Sequence, residues 1–232
     1  MKTKRLIITA GAKGGSGKSL TTALLYDWLK QKGIRAMVFD GDPENSTLSR
    51  FIPGSGFIDM RQEAALDAIL APLSKNEADI VLLDSRAATS EETVQWLKQI
   101  GIQAIRTELN TTITVAVMVT HSRDTLEQLR WWTDALGASV QWLIVRNLVG
   151  DQVDEYDASR MRQQIRDTLS GKEITLRKIP GFLIETLEKN NLTLHAATGS
   201  QAVTWANQKR IQALTHDLFQ QIETIKEVLI HE

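Results

Sequence analysis

The sequence predicts an α/β protein with a doubly wound, mostly parallel sheet flanked by helices. Three observations lead to this prediction. Short apolar runs alternate with longer helical patterns, a glycine-rich loop follows the first run, and acidic residues close the second and third runs. This alternation is typical of βαβ units, in which a helix connects each pair of parallel strands.

Six apolar runs have the character of strands. They are Leu6–Thr9, Ala36–Asp40, Ile80–Asp84, Ile113–Val119, Val140–Val145 and Ile174–Ile179. Helical patterns lie between them, at roughly 17–32, 59–73, 90–100, 123–136 and 154–169. Every crossover therefore has its helix, as right-handed parallel connections require.

The last segment predicts one more helix, at about 207–230. Its apolar residues recur at steps of three and four and share one stripe, formed by Ile211, Leu214, Leu218, Ile222, Ile225 and Leu229. A helix lying on a membrane favours basic residues on its polar face, whereas Asp217, Glu223 and Glu227 stand there. We therefore expect this helix to pack on the sheet, no membrane partner, and a single domain over residues 1–232.

Composition excludes several classes of protein. The chain has 232 residues, 27 Lys and Arg against 28 Asp and Glu, and no cysteine. Without cysteine there is no disulfide framework, thiolate zinc site, cysteine-ligated iron–sulfur cluster or cysteine nucleophile. A net charge of −1 disfavours a generally basic nucleic-acid coat. No apolar run approaches the roughly 20 residues that cross a bilayer, so a cytoplasmic protein is expected.

A phosphate-binding loop directly follows the first apolar run. The sequence there reads Gly11-Ala12-Lys13-Gly14-Gly15-Ser16-Gly17-Lys18-Ser19-Leu20 and continues into a helix. Glycines let the backbone N–H groups wrap closely around phosphate oxygens at the positive end of the helix. We expect Lys18 to reach the β- and γ-phosphates of a nucleotide and the Ser19 hydroxyl to ligate Mg²⁺.

Carboxylates close two of the apolar runs beside this loop. Asp40 and Asp42 follow the second run, and Asp84 ends the third. The carboxyl ends of parallel strands meet at one edge of a doubly wound sheet, where carboxylates can organise water or magnesium. Asp40-Gly41-Asp42-Pro43 is also an ordinary turn composition, and this string alone does not decide between the two interpretations.

The loop string from Lys13 to Ser19 closely resembles the deviant Walker A loop of the ParA/MinD family of P-loop ATPases. The resemblance implies ATP and Mg²⁺ as cofactors and an ATP-bound homodimer, in which Lys13 reaches the phosphates of the other subunit. It also implies that Asp42 orients the attacking water and that Asp40 and Asp84 lie at the magnesium. A solvated surface lysine is the alternative for Lys13.

The resemblance extends to the base and includes departures. Asn147 resembles a strand-end asparagine that hydrogen-bonds adenine, and Pro180 lies in a segment resembling one that packs on the base. Leu20 replaces a common threonine, so the α-phosphate would rely on backbone N–H groups. Glu44 replaces the usual glutamine of the first switch, and Arg86 stands in an altered second switch.

Elimination within the family favours the plasmid partition and maintenance branch. Zero Cys and two Tyr exclude the nitrogenase-type and cluster-carrying members, the zinc-dependent targeting ATPases and the tyrosine autokinases. The departures at Glu44 and Arg86 favour a StbB-like plasmid stability or conjugation protein. Such proteins imply nonspecific DNA and a plasmid-encoded DNA-binding adaptor that stimulates hydrolysis. The alternatives are a hydrolysis-deficient adaptor and a dethiobiotin-synthetase-like ligase.

Two further features have open interpretations. A basic stretch, which forms either a DNA face or a solvated helix face, contains Arg160, Arg162, Arg166, Lys172, Arg177 and Lys178. In the helix at 123–136, Trp131 projects roughly opposite the apolar face that contains Trp132. Trp131 is either an interface anchor or covered by the neighbouring helix.

Overall fold

A computed structural model of the protein describes residues 3–42, 47–87, 89–149 and 152–231. Seven strands of this part form one sheet in the order β3-β2-β4-β1-β5-β6-β7. The strands are β1 Lys4–Ala10, β2 Ala36–Asp40, β3 Gly56–Phe57, β4 Ile80–Asp84, β5 Thr111–Val119, β6 Gln141–Asn147 and β7 Lys172–Leu176. All their pairings are parallel, so the predicted fold class is confirmed.

Twelve α-helices of the described residues cover the two faces of this sheet. They are α1 Lys18–Gln31, α2 Thr47–Phe51, α3 Glu63–Asp67, α4 Ala71–Ser74, α5 Ser90–Ile100, α6 Ile102–Glu108, α7 Arg123–Leu136, α8 Asp154–Asp157, α9 Arg160–Asp167, α10 Gly181–Asn190, α11 Leu194–Ala197 and α12 Trp205–Thr224. One apolar cluster packs α3 to α9 on one face, and the other packs α1, α2 and α10 to α12 on the opposite face.

Alternation along β1 shows how the two clusters arise. Leu6 and Ile8 enter the first cluster, and Ile7 enters the second, because successive strand residues point to opposite faces. All three side chains are fully buried. Near-continuous apolar strands are therefore the sequence signature of this sheet, which is covered on both faces.

Strand order places the functional edge at β1. This strand lies between β4 and β5, where the chain changes direction along the sheet, and ligands bind at such switch points. In the register of the sheet, Asp40 of β2 pairs with Asp84 of β4, and Asp84 pairs with Thr9 of β1. The carboxyl ends of these strands thus bring the two acids next to the loop that follows β1.

Several predicted boundaries are wrong for local reasons. The strand predicted at Ile174–Ile179 is β7 Lys172–Leu176, and the helices predicted at 59–73 and 154–169 are each interrupted. The two-residue edge strand β3 is too short to give an alternating pattern. Helix α10 was missed, although its buried Leu183 and Leu187 have the i, i+4 spacing of a helix face.

The C-terminal stripe packs as expected, although its helix has different bounds. α12 ends at Thr224 and a 3₁₀ turn, Lys226–Val228, follows. Five of the six stripe residues are buried in the second cluster and Leu214 packs against it. The buried guanidinium of Arg5 donates to the Val228 carbonyl at 2.8 Å and the Glu227 carbonyl at 3.1 Å, which fastens this turn to β1. In the described part of the chain, no helix has the length and apolar character to cross a membrane.

Candidate nucleotide site

The loop between β1 and α1 has a backbone that only glycine accommodates well. Gly15 and Gly17 have φ values of 75° and 98°, in the left-handed region that disfavours L side chains. A Cβ atom on Gly17 would also lie 2.4 Å from Nδ2 of Asn147. Helix α1 begins at the next residue, Lys18, so the loop delivers its N–H groups to a helix N-terminus, which favours anions.

A cavity of about 740 Å³ opens beside this loop. This volume is within the range of ligand sites, about 300–1,000 Å³. Nine of the predicted site residues line it, namely Gly14, Gly15, Gly17, Lys18, Ser19, Leu20, Asp42, Asp84 and Asn147. The other four do not line it, namely Lys13, Ser16, Asp40 and Pro180.

Lys18 lies between the loop backbone and the acids. Its ammonium group donates to the Lys13 carbonyl at 3.1 Å. Burial lowers the pKa of Lys18, while the charges of Asp84 and Asp42 raise it. A partly desolvated cation gains from an incoming phosphate, which offers charge-assisted hydrogen bonds.

Asp84 is a buried acid of the site. Its Oδ1 accepts hydrogen bonds from the hydroxyls of Thr9 at 3.0 Å and Thr22 at 3.4 Å, and its carboxylate also accepts one from Ser19. Burial raises the pKa of Asp84 to about 6, and the charge of Asp40 adds to this, while the hydroxyls and Lys18 oppose it. Sequence reasoning missed both threonines. Thr9 could have been found from its place next to Asp84 in the sheet register, and Thr22 from its place one helical turn after Lys18.

Asp40 lies behind the cavity lining and has an unused oxygen. Its Oδ1 accepts the backbone N–H of Asp42 at 3.0 Å, whereas its buried Oδ2 has no hydrogen-bond partner within the described part of the chain. Burial raises the pKa of Asp40, and backbone N–H groups of α2 partly oppose this. An unpaired buried carboxylate oxygen beside Asp84 fits the outer shell of a hydrated cation.

These donors fit Mg²⁺ better than a metal held by protein alone. Among the described residues, no three His, Asp or Glu side chains gather into a metal-holding group. Mg²⁺ commonly keeps water and binds through one or two carboxylates together with substrate phosphates. Ser19, Asp84 and Asp40 supply an oxygen set of that kind.

Lys13 is directed away from the cavity. Its ammonium group forms a salt bridge with Asp124 in the first turn of α7, and the two side chains are 59% and 51% exposed. This pairing lowers the pKa of Asp124. Sequence reasoning missed Asp124, because the contact joins positions more than a hundred residues apart.

The base side of the cavity differs from the expectation. Asn147 donates its Nδ2 to the Ser16 carbonyl at 2.8 Å, so this amide is used to hold the loop. Pro180 caps α10 and stays outside the lining, whereas its neighbours Ile179 and Gly181 belong to it. Other lining residues were not predicted to belong to the site, among them Val149, Leu176, Arg177, Lys178, Ile184 and Glu188.

The basic stretch is largely neutralised. Four of its six cations form salt bridges: Arg162 with Asp157 and Glu173, Arg166 with Asp167, Lys172 with Glu227, and Arg177 with Asp217. Local charge therefore provides less phosphate attraction than the sequence suggests. Two other predicted features differ in what the structure shows of them. Trp131 is 40% exposed. The predicted departure at Glu44 lies outside the described residues.

Comparison with known proteins gives matches along most of the chain. Residues 7–222 match the family model described as the CobQ/CobB/MinD/ParA nucleotide binding domain. Protein MobD of Acidithiobacillus ferrooxidans is 20% identical over 92% of this chain and 99% of its own length. Protein TraL of Escherichia coli is 20% identical over 91% and 94%.

Solved structures show the same fold. The septum site-determining protein MinD of Pyrococcus horikoshii OT3, complexed with Mg-ADP, aligns with a TM-score of 0.57 at 14% identity, covering 97% of this chain and 98% of its own. The MinD cell division protein of Aquifex aeolicus gives 0.51 at 16% identity, covering 95% and 97%.

Proposed function

This chain belongs to the CobQ/CobB/MinD/ParA family of nucleotide-binding domains, and we propose that it is an ATP-dependent dimerising switch. The observation that carries the proposal is the convergence of Lys18, Ser19 and Asp84 on one cavity beside a glycine loop. In this proposal, loop N–H groups and Lys18 bind the phosphates, while Ser19, Asp84 and Asp40 hold Mg²⁺. When bound, the ion would supply positive charge against the charge that develops on the phosphates.

Hydrolysis is proposed to be slow and stimulated by a partner. Asp42 lines the cavity and, like Asp84, acts on Lys18 through its charge, and we assign it the positioning of the attacking water. A switch that reports nucleotide occupancy gains nothing from fast turnover.

Dimerisation requires Lys13 to exchange its partner. The salt bridge to Asp124 is half exposed, and exposed ion pairs contribute about 0–1 kcal/mol. Leaving Asp124 for the phosphates of a second subunit therefore costs little. A cation added at the reacting phosphates would also stabilise the transition state.

We propose plasmid partition, positioning or stable maintenance, with a link to conjugation, as the process served, and the cytoplasm as its place. The alignments with MobD and TraL span nearly the whole of each chain, which supports a shared architecture. Because the basic stretch is mostly paired, the proposal places cargo recognition in a plasmid-encoded DNA-binding adaptor and assigns no DNA contact to that stretch.

A hydrolysis-deficient adaptor is the second candidate. It is favoured by the sequence Ser85-Arg86-Ala87 after the strand that ends at Asp84, since this departs from the second switch of the family. The adaptor would bind ATP and dimerise without turning it over.

Hydrolysis of radiolabelled ATP by the full chain, with Mg²⁺ and in single turnover, distinguishes these candidates. The switch requires slow phosphate release that is lost in Asp42→Asn and kept in Asp154→Asn, a matched change at an exposed position of α8. ATP binding without release in the wild type would instead establish the adaptor, and failure to bind ATP would reject both.

A further inference from the structure

We propose that a notch between α5 and α7 binds an arginine or lysine side chain of a protein partner. The α5–α7 notch is a shallow cavity of about 390 Å³ lined by Ala87, Ser90, Glu91, Glu127, Gln128 and Trp131. The inference rests on the proposed function only in naming the occupant as a partner of the switch.

Trp131 forms an aromatic wall of the notch. It is 40% exposed, whereas the adjoining Trp132 is fully buried. The two rings meet edge to face, with centroids 5.6 Å apart and planes at 89°, a favourable aromatic geometry. Packing on a core residue holds the exposed ring in place, so little side-chain freedom is left to lose when a cation stacks on it.

Two exposed carboxylates flank this wall. Gln95 donates to Glu91 at 3.3 Å, and Arg123 pairs with Glu127 at 3.3 Å with both side chains mostly exposed. Contacts of this length and exposure are weak. A partner cation can therefore displace them without a large cost.

The floor of the notch has an unmet acceptor. Gln128 donates its Nε2 to the Ser90 hydroxyl at 2.9 Å, which fixes the amide, and its buried Oε1 has no hydrogen-bond partner among the residues that the structure describes. The unmet acceptor, the two carboxylates and the aromatic face all favour a positively charged donor. A guanidinium or ammonium group supplies the donors and the charge, whereas a phosphate would be repelled.

The position of the notch connects it to the nucleotide site. Gln128 lies one helical turn after Asp124, which holds Lys13, and Ala87 lies three residues after Asp84. A side chain seated in the notch therefore contacts α7 and the segment that leaves β4. We expect the affinity of the notch for this side chain to depend on whether Lys13 pairs with Asp124 or with the phosphates of a second subunit.

Indole N–H signals of the full chain, without nucleotide, test this proposal. The chain has six tryptophans, and a Trp131→Leu variant identifies the Trp131 signal in a ¹H–¹⁵N spectrum. The probes are the N-acetylated forms of arginine amide and of citrulline amide, whose side chain carries an uncharged ureido group in place of the guanidinium. We expect a saturable shift of the Trp131 signal with arginine amide alone, while the signal of Trp205, which is 73% exposed, stays in place.

Charge variants complete the test. Glu91→Gln combined with Glu127→Gln should weaken arginine amide binding by roughly five- to tenfold, and the control pair Glu77→Gln and Glu108→Gln should leave it unchanged. Equal shifts with citrulline amide, equal shifts at Trp205, or equal weakening by the control pair would overturn the proposal. So would self-association that is lost in Trp131→Leu, because a second copy would then fill the notch.

The two proposals fail separately. No nucleotide is present in the titration, so loss of ATP binding leaves the notch result intact. Conversely, if the protein binds and hydrolyses ATP but the notch does not bind arginine amide, only the proposal for the notch is rejected.

Discussion

Lys13 of the phosphate loop is paired with Asp124 of α7 in the single chain. The lysine that distinguishes this loop from other glycine loops is therefore held outside the cavity that its neighbours line. Because both side chains are about half exposed, the pair is easily exchanged. The contact makes α7 a competitor for the residue on which the proposed dimer depends.

Removing that competitor should favour the dimer. Asp124→Asn keeps the side chain's shape and removes the charge that holds Lys13. We expect the dimer with Mg·ATP to become about two- to fivefold tighter, the range of an exposed ion pair, as measured by sedimentation velocity. Asp134→Asn, at an exposed position of α7, is the control, and a weaker dimer in Asp124→Asn alone would contradict the competition.

Loss of the Lys18 ammonium should abolish tight nucleotide binding. Lys18→Ala removes a partly desolvated cation next to Asp84 and Asp42, and we expect about 100-fold weaker ATP binding by calorimetry. Lys30→Ala, on the exposed side of the same helix, should bind as the wild type does. Equal affinities in the two variants would show that the phosphates do not reach Lys18.

The loop should tolerate a methyl group at Gly14 but not at Gly17. A Cβ on Gly14 meets no atom within 4 Å. A Cβ on Gly17 would lie too close to Asn147, and the positive φ of 98° at Gly17 disfavours any L side chain. We expect Gly17→Ala to lower the free energy of unfolding by about 2 kcal/mol or more in urea, without nucleotide. Gly14→Ala should cost less than about 1 kcal/mol, and equal costs would refute the geometry of the loop.

A buried acid away from the nucleotide site gives a pH dependence. Asp27 of α1 accepts the His195 backbone N–H at 3.3 Å, and burial raises its pKa above the ordinary 3.8. The unfolded chain therefore ionises first as pH rises, so this group lowers stability progressively above its unfolded pKa.

Asp27→Asn removes that ionisation and keeps the acceptor oxygen. Its free energy of unfolding relative to wild type, from urea titrations, should increase as pH rises from about 4 to 7. Asp154→Asn serves as the exposed control. A difference that shrinks over the same range would reverse the sign that burial gives this pKa.

Local pattern explains what the sequence could predict. Strand runs, the glycine loop and the acid that closes β4 depend on neighbours in the chain, so the sequence predicts that Lys18, Ser19 and Asp84 lie close together, and all three line one cavity. Contacts between distant segments were not predictable. Thr9 and Thr22 on Asp84, and Asp124 on Lys13, depend on register and helix packing that no single segment encodes.

The departures from the expected site have the same cause. Pro180 was expected at the base, yet α10 starts directly after it and turns Gly181 and Ile184 toward the cavity instead. The basic stretch looks strongly charged in the sequence because its acidic partners lie elsewhere in the chain. Two of these partners, Asp217 and Glu227, belong to the C-terminal segment. Charge along a sequence overstates charge on a surface when such pairs form.

Sedimentation velocity of the full chain with Mg·ATP and with Mg·ADP is the most direct test of the proposed switch. Asp42→Ala slows hydrolysis in this account and so preserves the ATP state during the run. We predict a dimer with ATP, a monomer with ADP, and a monomer with ATP once Lys13→Ala is added, with Lys75→Ala as the control. The same sedimenting mass with ATP and with ADP, or a dimer that still forms in the Lys13→Ala variant, would contradict the switch.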